Sequence, residues 1–252
     1  MSISIKIINI FIIFSFLINL NHSINFECQY GYFRWATKVD DKIIPIFKNQ
    51  YSCVANITGV IAYNTVTEVS NNHLDGRSSS NVIVLKIFKQ SLKKFPENVE
   101  EFFPYLKAIF INQCKLKSIA KNDLRPFERL QFVSFTGNNI KNVNSDVFQY
   151  NPMITFVGLG SNPIEHIGAK FFDHLKSLKT IILSNNTCID EKAIRNNEHL
   201  SQLKLDVAEK CPPTKEMLEY DKNGTKKRQF FRRALGLEFL DDEESSAIES
   251  GL

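Results

Sequence analysis

The side chains able to do chemistry in this 252-residue chain are five cysteines, five histidines and a set of regularly spaced asparagines. Cysteines stand at Cys28, Cys53, Cys114, Cys188 and Cys211. Such residues could bridge, ligate a metal or serve as nucleophiles. No C-x-x-C occurs and the histidines are scattered, so neither a metal centre nor a cofactor is expected. The chain has no G-x-S-x-G elbow, no H-E-x-x-H and no glycine-rich phosphate loop. Glu165-His166 adjoins apolar Ile164 and Ile167 and reads as a surface turn. Asp190-Glu191 reads as the acidic start of a cap helix, where negative charge suits the helix dipole. No catalytic residue is assigned and no enzyme is expected, because acid, base and nucleophile do not converge.

The asparagines reveal the elements that position everything else. Cys114, Asn138, Asn162 and Asn186 are each separated by 24 residues. Apolar residues follow the same step: Leu106, Leu130, Ile154; Ile109, Val133, Val157; Ile111, Phe135, Leu159; Leu116, Ile140, Ile164; Ile119, Val143, Ile167. An earlier unit runs Val82, Leu85, Ile87, Gln90, Leu92, Phe95, with glutamine in the polar column. Leu178, Ile181, Leu183 and Asn186 open another, and Leu200, Leu203 and Leu205 read as a final strand. Ile61 sits one step before Leu85 and suggests a degenerate unit. Leu124, Phe148 and Phe172 form a second apolar column on the far side of each unit. Alternating L-x-L makes a short strand with one buried face, and no such unit can bury that face alone. The polar column falls where the chain turns inward, where a buried amide can bond the adjacent turn and a thiol can substitute as a small weak donor.

This L-x-x-L-x-L-x-x-[NC]-x-L pattern is the leucine-rich repeat signature. It resembles the typical 24-residue class of extracellular leucine-rich repeat proteins. With HLDGRSSSNV before the clear repeats and NTCI…KCPP after them, the chain resembles small secreted leucine-rich repeat proteins of insects. The expected fold is an α/β solenoid, a horseshoe with a parallel concave β-sheet and disulfide-tied caps at both ends. Expected boundaries are a signal peptide over 1–23, an N-terminal cap over 24–81, repeats over 82–187, a C-terminal cap over 188–211 and a charged, disordered tail over 212–252. Five cysteines allow 15 choices of two bridges. Repeat geometry selects Cys28 with Cys53 and Cys188 with Cys211, leaving Cys114 as a buried free thiol.

The ends carry the signals of compartment. Lys6 followed by an apolar run from Ile7 to Leu20 suits a signal peptide and is short for a stable membrane span. A secreted, extracellular protein is expected. Sequons at Asn56, Asn185 and Asn223 agree, with Asn56 and Asn223 expected to carry glycans and Asn185 disfavoured beside the ladder. The aromatic alternation Tyr30, Tyr32, Phe33, Trp35 and then Ile43, Ile44, Ile46 predicts a hairpin in the N-terminal cap. Residues 212–252 hold seven Lys or Arg and nine Asp or Glu in separated blocks. Within that tail, Phe230, Phe231, Ala234, Leu235 and Leu237 could form one short amphipathic helix.

Function is expected on the concave face. Residues between the core leucines point there, and among them only Lys86 is charged. Phe88, Phe110, Phe132 and Phe156, with Lys86, Asn112 and Ile182, are the candidate binding residues, the rings being expected to face water. A protein partner is expected, with a homo-oligomer possible and nucleic acid disfavoured by the lack of concentrated basic charge, the net charge being +4. The alternatives are recognition of microbial or lipid-like ligands in immunity or saliva, and a self-associating matrix component.

Overall fold

The computed structural model describes residues 23–39, 42–59 and 64–223, and the side chains of all of these except 35–48. Residues 1–22, Ile61 and 224–252 lie outside it, so the signal peptide, the degenerate unit at Ile61 and the helix around Phe230 fall outside the described residues.

Short strands recur at the predicted alternation: β4 (Val84–Phe88), β5 (Ala108–Asn112), β6 (Phe132–Ser134), β8 (Phe156–Gly158) and β10 (Thr180–Ile182). They pair in parallel, with Leu85 opposite Ile109, Ile109 opposite Val133, Val133 opposite Val157 and Val157 opposite Ile181. This register puts every 24-residue column in line across the sheet. The inward residues Leu85, Ile109, Val133, Val157 and Ile181 have no solvent exposure. Full burial of such a side chain stabilises by about 1.5–3 kcal/mol. On the far side, β7 (Asn142–Val143) and β9 (His166–Ile167) form a second, two-stranded sheet. His166 is therefore in a strand rather than a loose turn, and its Nδ1 donates to the Pro212 carbonyl at 2.7 Å. The second apolar column slips by one position in its last member: Leu124 and Phe148 are buried, but Phe171 fills the place expected for Phe172 and packs on Phe148 at 5.6 Å.

The polar column bonds one turn to the next. Asn138 Nδ2 donates to the Ile111 and Phe135 carbonyls at 2.7 and 2.8 Å, and its Oδ1 accepts from the Cys114 and Leu116 amides. Asn162 and Asn186 repeat this one and two turns on, each reaching a carbonyl 27 residues earlier. Cys114 obeys the same geometry weakly, its thiol pointing at the Ile87 carbonyl at 3.6 Å and at Asn112 at 3.1 Å. It is free and buried, and burial pushes its thiol up, which keeps it protonated and inert. Gln90 does not reach inward: its amide donates to the Phe88 carbonyl at 3.4 Å.

Another column is conformational. Lys89, Gln113, Gly137, Ser161 and Asn185 all have φ between 54° and 72°, and each directly follows or lies near the end of a strand. Gly137 and Asn185 have residue types that favour this left-handed turn. Inter-turn backbone bonds hold Lys89, Gln113 and Ser161 there, as in Gln113 N–H to the Thr136 carbonyl at 2.9 Å and Ser161 N–H to the Ser184 carbonyl at 2.8 Å.

Both ends close with antiparallel strands and a disulfide. At the N-terminal end, β1 (Ile24–Val39) and β2 (Lys42–Gly59) form the predicted hairpin, flanked by β3 (Val66–Val69). The strand preceding β4 in the sheet is β2, Cys53 standing opposite Leu85. Cys28–Cys53 joins the two hairpin strands and Cys188–Cys211 ties the C-terminal end, with Cα separations of 5.1 and 5.2 Å. Loop 70–81 is pinned to the hairpin. Tyr30 donates to the Ser70 carbonyl at 2.6 Å, and burial, then Tyr51, pushes that phenol up to about 12. The Tyr51 hydroxyl accepts from Leu74 N–H at 3.1 Å and shares a hydrogen bond with His73 Nδ1 at 3.1 Å, while His73 Nε2 meets Ser79 Oγ at 3.1 Å.

At the other end Leu200, Leu203 and Leu205 are helical, not a strand. They lie in Asn197–Lys210, capped by Asn196, whose Oδ1 accepts from the His199 amide. Leu200, Leu203 and Val207 face the core, while Leu205 is 65% exposed. The spacing is that of a helical face. Asp190 and Glu191 precede β11 (Lys192–Ile194) instead of starting that helix. Asp190 accepts from the Asn185 amide, and Glu191 pairs with Lys210 at 2.6 Å. The chain divides after Pro212, and in the second unit residues 215–223 are helical, with Thr214 Oγ1 accepting from the Met217 amide. The segment expected to be disordered from residue 212 therefore begins with ordered structure.

Candidate functional site

Strand alternation sends three columns to the concave face. The first is Val84, Ala108, Phe132, Phe156, Thr180; the second is Lys86, Phe110, Ser134, Gly158, Ile182. The third includes Phe88 opposite Asn112, followed by Thr136, Gly160 and Ser184. The columns are placed as expected, but their exposure is not. Phe110 is 4% exposed and Phe156 only 1%, while Phe88 is 46% exposed and Phe132 is half-buried.

Two packing events bury the rings. Phe33 on β1 reaches over the first repeats and meets Phe110 edge to face at 5.6 Å. Val84, Ala108 and Phe110 thereby form a second small core, with Phe33, Ile83 and Phe132 packed on it. The Lys86 ammonium lies 4.1 Å above the Phe33 ring, and burial lowers its pKa. Further along, the Phe156 ring folds back over Gly158, 3.2 Å from where a side chain there would begin. Phe33 was missed as a face residue; its only sequence signal is its place in the aromatic run of the hairpin.

What stays open is a mixed track. Asn112 Oδ1 accepts from Ser134 Oγ at 2.9 Å and from the Thr136 amide at 3.0 Å, which fixes the polar middle of the face. Phe88 and half-buried Ile182 flank it on β4 and β10. At the edge where the strands begin, a pocket of about 250 Å³ is lined by Gln131, Phe132, Thr155, Phe156, Lys179, Thr180 and Arg195. Gln131, Thr155 and Lys179 are one 24-residue column, whose backbone links turn to turn through Thr155 N–H to Gln131 and Lys179 N–H to Thr155. That periodicity was visible in the sequence, but its polar residues do not announce a pocket. A half-buried ring beside two cationic side chains can take a partner group with an apolar body and an acidic end.

Among the described residues no group of three or more His, Cys, Asp or Glu could hold a metal, and no helix is long and apolar enough to cross a membrane. The sequon residues Asn56 and Asn223 are both exposed, Asn56 donating to Glu27 at 3.3 Å.

A parallel sheet assembled from 24-residue turns and stitched by an asparagine ladder is the leucine-rich repeat architecture. The chain carries leucine-rich repeats, and a leucine rich repeat family profile matches residues 152–207. Leucine-rich repeat-containing G-protein coupled receptor 5 of Xenopus tropicalis and receptor 5A of Xenopus laevis are each 34% identical to it over 68 residues, or 27% of this chain. That match spans 8% of the length of either receptor. Among solved structures, Toll in the Drosophila Toll–Spatzle complex is 21% identical over 51% of this chain and 18% of its own, with a TM-score of 0.41. TLR13 in complex with ssRNA13 is 17% identical over 48% of this chain and 18% of its own, also at 0.41.

Proposed function

We propose that this chain is a secreted, non-enzymatic leucine-rich repeat protein that binds another protein through its concave face. The observation that carries this reading is the open track from Phe88 through Asn112 and Thr136 to Ile182, with the pocket beside Phe132, Lys179 and Arg195. A broad sheet with one exposed and one half-buried apolar anchor, a hydrogen-bonded polar centre and an edge pocket suits an extended protein surface better than a small substrate. Two disulfides support an oxidising compartment, as does the apolar N-terminal run. What the receptor relatives and solved neighbours bind belongs to those proteins; here the partner is defined only by this surface.

The test is affinity capture from native extracellular fluid, with bound proteins identified by mass spectrometry. Phe88→Ser with Ile182→Ser should lose a specifically captured partner while melting stays near that of the parent. Capture unimpaired in the folded double variant would overturn the concave-face reading. Size measurement of the purified protein separates self-association, in which the captured partner is a second copy.

A further inference from the structure

The edge of the sheet opposite the pocket, where the chain leaves each strand, carries one sign of charge. Lys89, Lys93, Lys94, Lys115, Lys117 and Lys141 all lie there, and all are exposed. Lys93, Lys117 and Lys141 repeat at 24 residues, so they stand on successive turns. The turns are in direct backbone contact, Lys117 N–H donating to the Lys93 carbonyl at 3.2 Å. Lys89 and Lys115 sit in left-handed turns with φ of 55° and 64°, which fix where their side chains start.

No carboxylate stands among these lysines across three turns. The first on this flank is Glu165, one turn further, which reaches Lys141 at 3.6 Å. Acidic residues of the same turns lie further along the chain, at Glu97, Glu100, Glu101, Asp123 and Asp146, and Asp146 is paired with Lys121. A net charge of only +4 therefore hides a segregated cationic strip. Like charges held on adjacent rigid turns repel, and a linear polyanion laid along the solenoid would neutralise them and release its own counterions.

We propose that this lysine flank binds a sulfated linear polysaccharide. The lysines are point charges without the planar fork that arginine offers to phosphate, and the strip contains no arginine. Base stacking has no platform there: the bordering ring of Phe88 already carries Lys89 at 5.2 Å, and the intervening side chains include Gln90, Ser91, Gln113 and Ser118. The choice of glycan over nucleic acid rests on the secreted reading proposed above, which the two disulfides support. The site is separate from the concave face and does not depend on a partner there.

Heparin is the probe, with binding of the full-length protein measured across a salt series. Lys93→Glu with Lys117→Glu should weaken binding about tenfold or more and flatten the dependence on salt, as expected when lysine contacts are lost. Lys170→Glu with Lys176→Glu alters net charge equally at two exposed positions away from the strip and should change binding less than about twofold. Equal loss in both pairs would reduce the effect to net charge and overturn the proposal. So would tighter binding of the parent to single-stranded DNA or to anionic phospholipid vesicles than to heparin. Lys93→Gln with Lys117→Gln, which removes charge without adding acid, should fall between parent and reversal; parent-like binding by that folded variant would also overturn it.

Discussion

Asn138 and His73 both tie a loop to a strand, but by different physics. Asn138 is 3% exposed and satisfies four backbone groups of two adjacent turns with one amide. His73 is half-buried, and its two ring nitrogens bond single side chains of the cap, the buried Tyr51 hydroxyl and the half-buried Ser79 hydroxyl. Asn138 also has counterparts one and two turns on, whereas His73 has none in the repeat. Interior polar groups are thus shared between neighbours, so losing one leaves backbone orphaned on both sides. Cap polar groups are local, and one of them titrates. The repeats should accordingly be the rigid, pH-insensitive part and the N-terminal cap the conditional one.

Four changes press on that contrast, beginning with the most damaging. Leu159→Ala empties a fully buried site in the central turn and should cost about 2–5 kcal/mol in chemical denaturation. A loss below that range would mean neighbouring turns collapse onto the space and the interior is softer than argued. Next, Asn138→Ala orphans the Ile111 and Phe135 carbonyls and the Cys114 and Leu116 amides, a cost of roughly 1–3 kcal/mol. Because Cys114 lies beside it, alkylation of that thiol should also speed up, an independent reading of local opening. Gly137→Ala is smaller, about 1–2 kcal/mol, since an L side chain is strained at φ 72° and would begin 2.8 Å from Gln113 Cγ. Equal melting temperatures for Gly137→Ala and the parent would show that this turn is not held.

The subtlest effect belongs to the cap. Burial lowers the His73 pKa below its ordinary 6.5, so protonation favours the opened loop. The contribution is present above about pH 6.5 and is lost as pH falls through and below that value. Protonation would also make both ring nitrogens donors, against the Tyr51 and Ser79 hydroxyls. Hydrogen exchange at Leu74 N–H, corrected for intrinsic rates, should therefore accelerate between pH 7.5 and 5.5 while Leu116 N–H in the ladder does not. His73→Gln should remove that difference. Parallel acceleration at both amides would erase the distinction between cap and interior.

Much of the scaffold was legible because a solenoid writes each contact many times. Cys114, Asn138, Asn162 and Asn186 share a spacing, so their shared geometry follows from it, and even the thiol obeys the same offset. The two cap bridges likewise follow once the repeat boundaries are known. At the ends, where the repeat stops, the reading weakens: Leu200, Leu203 and Leu205 fit a strand by analogy, yet with Val207 they fit a helix by period. The candidate site was legible in position and not in exposure. Phe88, Phe110, Phe132 and Phe156 occupy equivalent outward positions, but they are respectively exposed, covered by Phe33, half-buried and folded onto Gly158.

The amino-acid sequence by itself determined the register, the ladder, the inward core and the segregation of lysines, because each depends on spacing within or between adjacent turns. Tertiary structure alone decided which outward rings meet water. A residue's place in a strand sets which way it points, but not what arrives from a distant part of the chain to cover it. Phe33 and Phe110 are brought together by the hairpin's reach over the sheet, a contact that no repeat encodes and no period can reveal.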